Sequence, residues 1–212
     1  MKFTKELCYY LGFIWADGYV RDYYIELEIL ESDGLQILET LQKTDLKFFS
    51  STRLRKNRTK RVMTIRHHSI STIRELSHYD YSIKTNSEPS KILNIIPEEL
   101  KRYFYLGYSD GDGCFYISKN KITKQYTIAS NYDQNWNHMA SLYNSLGIKY
   151  SIQRVIRSNG EYSAIRIVNR RGLQVIYNYL YPIGFEFGLR RKFDKCLEII
   201  NQPILNVRKI IV

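Results

Sequence analysis

Two aspartates occupy matching places in a sequence that repeats itself. Residues 10–18 read YLGFIWADG, and residues 105–113 read YLGYSDGDG. Each copy closes an amphipathic stretch that is typical of a helix, and a glycine directly after the last aspartate is a common helix stop. We therefore expect Asp17 and Asp112 at the C-terminal ends of two equivalent helices.

Small residues recur within both copies at a spacing of four. Gly12 and Ala16 form one such pair, Gly107 and Gly111 the other, and residues four apart share one face of a helix. A face without bulky side chains lets another backbone approach closely, although ordinary core packing uses such faces too. Its presence in both copies favours direct packing of the two motif helices about a pseudo-twofold axis.

This packing would bring Asp17 and Asp112 together. The helix macrodipole disfavours negative charge at a C-terminus, and two neighbouring carboxylates repel each other. The pair is therefore expected either to be protonated or to bind cations, and carboxylate oxygens suit Mg²⁺ or Mn²⁺. Such ions activate water and stabilise a leaving oxygen in phosphodiester hydrolysis. A single Asp-Gly pair is more often an ordinary turn, so this interpretation depends on the repeat.

The elements that must position the aspartates also recur in the same order. Alternating and helical patterns predict four strands and two further helices after each motif, and a last helix at the C-terminus. The strands are predicted at 20–23, 25–30, 46–55 and 61–67, and at 114–119, 125–130, 148–157 and 161–168. The helices are predicted at 33–43, 69–78, 133–145, 170–180 and 189–201.

These elements predict an α+β fold of tandem αββαββα repeats, related by a pseudo-twofold axis, with antiparallel sheets that form a saddle. We expect an N-terminal half at 1–80, a polar linker at 81–97, and a C-terminal half with an extra helix at 98–212.

The composition bounds the class of partner. A net charge of +11 over 212 residues favours a polyanion, although a basic protein without such a partner has the same composition. Cys8, Cys114 and Cys196 match neither a disulfide framework nor a zinc site. No apolar stretch suits a membrane span, and Met1–Lys5 lacks the apolar region expected of a signal peptide. We expect a soluble intracellular protein of organellar, bacterial or phage origin.

The two nine-residue motifs resemble the signature of the LAGLIDADG homing endonucleases, and the element order extends the resemblance over nearly the whole chain. The presence of two motifs implies a pseudo-symmetric monomer that needs no obligate protein partner. The resemblance also implies that the second acidic residue of each motif is a metal ligand, which assigns Asp17 and Asp112. The predicted metal site, for Mg²⁺ or Mn²⁺, comprises these two residues with Ala16 and Gly111.

The sequence departs from the family motif in two places. The first acidic position is Trp15 in one copy and Asp110 in the other, and Tyr10 and Tyr105 replace the leading leucine. Because that first position is mainly structural in the family, we expect asymmetric packing rather than lost catalysis.

The resemblance further implies a basic residue near the cut, after the last helix of each half. We assign this role to Lys84 and Arg190, with Arg191 and Lys192 as alternatives; an ordinary surface cation is the competing interpretation for each. Their task would be to stabilise developing charge or to polarise the attacking water. With Asp17 and Asp112, Lys84 and Arg190 are the predicted catalytic residues.

Strand alternation divides each predicted sheet into an apolar face and an arginine-rich face, which suits a reader of the DNA major groove. For the first hairpin alone, a solvated charged face is the alternative. Glu26 and Glu28 share the outer face, where they either accept hydrogen bonds from cytosine or pair with arginines. The predicted DNA contacts are Arg21, Tyr23, Arg53, Arg55, Arg58, Lys60, Arg61, Arg66, Tyr116, Ser118, Gln125, Gln153, Arg157 and Arg166.

The sequence therefore predicts a monomeric, site-specific endonuclease that hydrolyses double-stranded DNA at a long recognition site and serves intron homing. Two alternatives use the same scaffold: a maturase that binds intron RNA, and a non-catalytic DNA-binding regulator. Only the endonuclease requires the two aspartates, so their substitution separates it from both alternatives.

Overall fold

The two motif helices lie side by side at the centre of the molecule. The computed structural model describes residues 2–54, 59–85, 87–120, 123–157 and 160–201, without the side chain of Arg157. Helix α1 (Lys5–Asp17) begins where the Thr4 hydroxyl accepts a hydrogen bond from the Leu7 amide at 3.2 Å. The 3-10 turn Glu98–Leu100 leads into α5 (Lys101–Asp112). Both helices end at the glycine that follows the last aspartate of the motif.

Glycines allow the backbones of α1 and α5 to touch. A methyl group added at Gly12 would lie 1.8 Å from the carbonyl oxygen of Phe104, and one added at Gly107 would lie 1.9 Å from that of Tyr9. Such distances leave no room for a side chain. The seam between α1 and α5 is therefore built from backbone against backbone.

Each half contributes one four-stranded antiparallel sheet of the same topology. In the first, strands β1 (Tyr19–Val20), β2 (Ile25–Leu30), β3 (Phe48–Leu54) and β4 (Arg61–His67) take the order β1-β2-β4-β3. In the second, strands β5 (Gly113–Ile117), β6 (Lys124–Ser130), β7 (Ser151–Arg157) and β8 (Gly160–Ile167) take the order β5-β6-β8-β7. The predicted α+β fold with two antiparallel sheets is confirmed.

The remaining helices flank the motif helices and the sheets. They are α2 (Glu31–Leu41), α3 (Ile70–Ser77), α4 (Ser90–Ile95), α6 (Asn137–Ser145), α7 (Arg170–Leu180) and α8 (Arg190–Asn201). Apolar side chains from both halves form one core, with Ile37 and Ile65 buried on one side and Tyr143 and Ile165 on the other. No helix within the described ranges has the length and apolar character needed to cross a membrane.

Three segments differ from the sequence-based expectation. Strand β1 ends at Val20, and the Arg21 amide donates to the Tyr24 carbonyl at 2.9 Å, so a tight turn replaces the predicted strand. Helix α6 begins at Asn137, after the N-cap residue Trp136. The Asn137 amide donates to the Asn135 side chain at 2.9 Å, and this local turn stands where the prediction began the helix at residue 133. The segment predicted as a linker contains α4, and its Ile92 is fully buried.

Candidate functional site

Asp17 and Asp112 are the last residues of α1 and α5, and the seam brings them to the same end of the helix pair. A methyl group built at Gly111 would lie 3.5 Å from Cβ of Asp17. Asp17 is exposed and Asp112 half-buried. Within the described part of the chain, neither carboxylate accepts a hydrogen bond. Their oxygen lone pairs therefore remain available to a ligand.

The electrostatics of this pair disfavour negative charge. Partial burial raises the pKa of Asp112 to about 6, and repulsion from Asp17 adds to the rise. Burial also raises the pKa of Asp17, while Lys84 and Lys192 act in the opposite direction. The two carboxylates thus lack sufficient positive charge nearby, and a cation would stabilise their ionised forms.

Lys84 caps the first motif helix. Its Nζ donates to the carbonyl oxygens of Ile14 and Trp15, both at 2.8 Å, and of Ala16 at 3.2 Å. The last carbonyls of a helix have no partner inside the helix, so the ammonium supplies one and offsets the negative end of the dipole. Burial lowers the pKa of Lys84 to about 8, although Asp112 and Asp17 favour its charged form.

Lys192 makes the equivalent contact at the second motif helix. Its Nζ donates to the carbonyl oxygens of Ser109 at 2.9 Å and Gly113 at 2.7 Å, and also contacts those of Asp110 and Gly111. Burial lowers its pKa, opposed chiefly by the charge of Asp110. The C-terminal ends of both motif helices therefore carry a lysine ammonium group that contacts the last helical carbonyls.

Arg190, the residue that the sequence favoured for this position, points elsewhere. Its Nε donates to Asp194 at 3.0 Å, and its guanidinium lies 4.9 Å from the ring centre of Phe185. Arg191 pairs with Asp33. Of the three candidates, Lys192 is therefore the one whose side chain lies at the end of α5.

The first acidic position of each motif shows the expected asymmetry in packing. Oδ2 of Asp110 accepts from the Tyr9 hydroxyl at 2.9 Å and from the Leu189 amide at 2.8 Å. Its Oδ1 is buried without a partner among the described residues, and burial raises the pKa of Asp110 to about 6. Trp15 instead packs edge-on against Tyr81, with ring centres 4.9 Å apart.

The outer face of the first sheet carries paired charges. Arg66 donates to Glu26, which lies opposite on β2, and Arg53 donates to Glu28 across the sheet. At the edge of this sheet Arg61 pairs with Glu31 at 3.1 Å. Of the two roles considered for Glu26 and Glu28, pairing with arginine is the one seen in the free protein.

Among the described side chains, the outer face of the second sheet carries neutral residues and Arg166. Tyr116, Gln125 and Gln153 lie on this face, which carries no carboxylate within the described strands. The two sheets have the same strand order and differ in the side chains on their outer faces, since only the first carries arginine–glutamate pairs there among the described residues.

The remaining predicted DNA contacts lie at the hairpin ends. Arg21, stacked 4.8 Å from the ring centre of Tyr19, and Tyr23 are exposed in the turn after β1. Lys60 is exposed before β4, and Ser118 donates to Asn120 in the loop after β5. Arg55, Arg58 and the side chain of Arg157 lie outside the described residues.

Known proteins match the second half of the chain in sequence and the whole chain in fold. Residues 99–181 match the model of the LAGLIDADG-like domain. No curated protein matches the sequence at a significant level. The fold of 92% of the chain superposes on 88% of "the homing endonuclease I-WcaI bound to its DNA recognition sequence", with a TM-score of 0.62 and 14% identity.

Two further solved structures share the fold. I-DmoI "in complex with DNA and Ca" matches with a TM-score of 0.55 and 12% identity, over 83% of this chain and 89% of that one. Full-length DUF199/WhiA from Thermatoga maritima matches with a TM-score of 0.54 and 13% identity, over 98% of this chain and 65% of that one. Residues 99–181 are therefore similar to the LAGLIDADG-like domain, and the chain as a whole shares its fold with the homing endonucleases I-WcaI and I-DmoI.

Proposed function

We propose that this protein is a monomeric, site-specific endonuclease that hydrolyses double-stranded DNA with divalent metal, in the service of intron homing. The observation that carries the proposal is the pair of carboxylates of Asp17 and Asp112 at the adjacent ends of the motif helices, which accept no hydrogen bond from any residue that the structure describes. I-WcaI and I-DmoI, which share the fold, are described as bound to DNA.

The residues present fit a divalent metal. Asp17 and Asp112 offer hard oxygen ligands that accept no hydrogen bond from the described residues. Ala16 and Gly111, which precede them in the chain, have carbonyl oxygens contacted by Lys84 and Lys192. The described residues contain no cluster of three or more histidine, cysteine or acidic side chains that could hold a metal in another place. Bound Mg²⁺ or Mn²⁺ would supply an activated water and stabilise the leaving oxygen during hydrolysis.

Lys84 and Lys192 contribute positive charge beside the carboxylates. The Nζ of Lys84 contacts three backbone carbonyls, so its three donor hydrogens are occupied in the free protein. With a pKa of about 8 it is mostly protonated at neutral pH. We infer that both lysines act through their electric field on the scissile phosphates, where fixed charge stabilises the transition state.

The two sheets provide the DNA-binding surface in this proposal. Their outer faces present Arg53 and Arg66 on one side and Gln125, Gln153 and Arg166 on the other, and these side chains match the donor and acceptor pattern of the major groove. The exposed cations at the hairpin ends, among them Arg21 and Lys60, would contact phosphates.

The proposal is tested by selecting cleaved sequences from a random duplex library. The wild-type protein with Mg²⁺ is expected to enrich one long site, and EDTA should abolish cleavage. Asp112→Asn should bind the selected site in Ca²⁺ without cutting it, whereas Asp45→Asn, at an exposed aspartate remote from the helix ends, should cut normally. Cleavage that persists in EDTA or in Asp112→Asn would contradict the proposal.

A protein that binds DNA without cutting it is the second candidate. The fold is shared with DUF199/WhiA, which is not described as an endonuclease. It predicts that the wild-type protein selects a DNA site by binding but never cuts it. A maturase would instead bind intron RNA and promote splicing even when both aspartates are replaced.

A further inference from the structure

We propose that each half of the protein holds in place the lysine-bearing segment that belongs to or directly follows the other half. Asp33 is the positioning residue for Lys192 of the second half, and Gln134 is the positioning residue for Lys84, at the start of the linker after the first half. This inference rests on the proposed endonuclease function. It concerns residues outside the repeated motifs.

Asp33 binds the start of the last helix across the two halves. It lies in the first turn of α2 and is 5% exposed. The Nε of Arg191 donates to both carboxylate oxygens, at 3.0 and 2.9 Å, and Nη2 donates at 2.8 Å. A buried carboxylate with a forked guanidinium partner is geometrically fixed, so α2 of the first half defines where Arg191 lies.

A second contact from the same helix strengthens this link. The Gln36 side-chain oxygen accepts from the Arg190 amide at 2.8 Å, and it thereby caps the N-terminus of α8. Helix α8 belongs to the second half, 154 residues further along the chain. Two residues one turn apart on α2 therefore fix two consecutive residues at the start of α8.

The position of Lys192 follows from these contacts. It is the next residue after Arg191, in the first turn of α8, and its ammonium sits among the carbonyls at the end of α5. A small shift of that turn would withdraw Nζ from Ser109 and Gly113. Because misplacement of a charged group by about 1 Å can cost two orders of magnitude in rate, Asp33 is expected to act on catalysis through Lys192.

The reciprocal contact runs from the second half to the first. Gln134 is 5% exposed, and its Nε2 donates to the carbonyl oxygen of Ser87 at 2.8 Å. The amide of Ser87 in turn donates to the carbonyl oxygen of Lys84 at 3.0 Å. Gln134 is itself oriented by the Ser130 hydroxyl, which donates to its side-chain oxygen at 2.9 Å.

A small cavity places this contact beside the candidate active site. The cavity, of about 80 Å³, is lined by Gln134 together with Lys84 and Asp112. Gln134 therefore lines the same open pocket as Lys84, which follows the first half, and Asp112 of the second half. The two cross-half contacts differ in kind, since one is an ion pair and the other a neutral hydrogen bond.

Strand-resolved cleavage of a selected site tests the inference. Each strand is labelled separately, and the rate of cleavage in Mg²⁺ is compared with binding in Ca²⁺. Asp33→Ala should slow cleavage of one strand at least tenfold relative to the other, and Gln134→Ala should slow the opposite strand, so that nicked duplexes of opposite polarity accumulate. Binding affinity should change less than threefold, and Glu39→Ala, an exposed position on α2, should cut both strands normally.

A charge-reversed double variant, Asp33→Arg with Arg191→Asp, should restore part of the lost strand rate, which a general loss of stability would not permit. If Asp33→Ala fails to fold, Arg191→Gln offers a second test, because it breaks the same ion pair by changing the more exposed partner. This variant is expected to slow cleavage of the same strand as Asp33→Ala. Equal slowing of both strands, or bias toward the same strand in both variants, would overturn the inference. Absence of cleavage by the wild-type protein would instead reject the proposed function.

Discussion

The two halves bring a lysine to the same place by different physical means. In the first half, Trp15 packs on Tyr81, and the Tyr81 hydroxyl donates to the Leu11 carbonyl at 3.0 Å. In the second half, buried Asp110 accepts the Leu189 amide at 2.8 Å. Aromatic packing thus fixes the segment before Lys84, whereas a buried carboxylate fixes the segment before Lys192. A duplicated fold can keep one geometry while the interactions that support it diverge.

The largest effect is expected from removing these two supports. Trp15→Ala deletes a large buried ring and should lower the free energy of unfolding by about 4 kcal/mol. Asp110→Ala leaves the Tyr9 hydroxyl and the Leu189 amide unpaired and should cost about 2 kcal/mol. Asp110→Asn, which keeps an acceptor oxygen, should recover part of that loss. Urea unfolding measures these differences, and a larger cost for Asp110→Ala than for Trp15→Ala would contradict the comparison.

Two buried histidines sharpen the contrast. In the first half, Nδ1 of His67 lies 2.8 Å from the Lys47 carbonyl oxygen and Nε2 lies 3.2 Å from the Thr72 hydroxyl. In the second half, neither ring nitrogen of His138 has a partner within the described residues, and burial lowers its pKa from 6.5 to about 3. His138 therefore disfavours protonation in the folded state, while the unfolded chain binds the proton normally.

The pH dependence of stability follows from that shift. Between pH 6.5 and 3 the unfolded state binds more protons than the folded state. The free energy of unfolding should therefore have its full value above pH 6.5 and decrease as the pH falls. The expected loss between pH 6.5 and 5 is about 2 kcal/mol. His138→Phe should show a correspondingly flatter profile in urea unfolding at several pH values. An identical slope for wild type and variant would remove His138 from this role.

The smallest effects concern the two DNA-facing sheets. Glu28→Gln removes a carboxylate from the first sheet and frees Arg53, so affinity for non-specific DNA should rise a few fold, about 0.5–1 kcal/mol. The reverse change on the second sheet, Gln153→Glu, should weaken binding by a similar factor. Filter binding over a series of salt concentrations measures both. If both variants raised the affinity for DNA, or both lowered it, the proposed difference in charge between the two sheet faces would be contradicted.

Much of the architecture could be predicted from the sequence because its signals are local and periodic. The predicted bounds of β2 and α7 agree with the structure, since each segment has a clear apolar pattern and well-defined ends. The strand after the first motif was predicted too long, because exposed Tyr23 and Tyr24 mimic strand alternation while the backbone turns. Short turns of this kind depend on hydrogen bonds that composition does not reveal.

The candidate site was harder to predict where it depends on contacts distant in sequence. Residues 190–192 are three consecutive cations, and the phase of α8 decides which one faces inward. Lys192 shares a face with Cys196 and Ile199, both buried, so helical periodicity could have identified it. The pairing of Asp33 with Arg191 joins residues 158 positions apart, and no local pattern predicts it.

The most direct test of the account is cleavage of a supercoiled plasmid carrying the selected site by Asp17→Asn in Mg²⁺. If Asp17 and Asp112 jointly hold the cations, the variant should produce no linear plasmid while it still binds the site in Ca²⁺. Linear product formed at the wild-type rate would contradict the account.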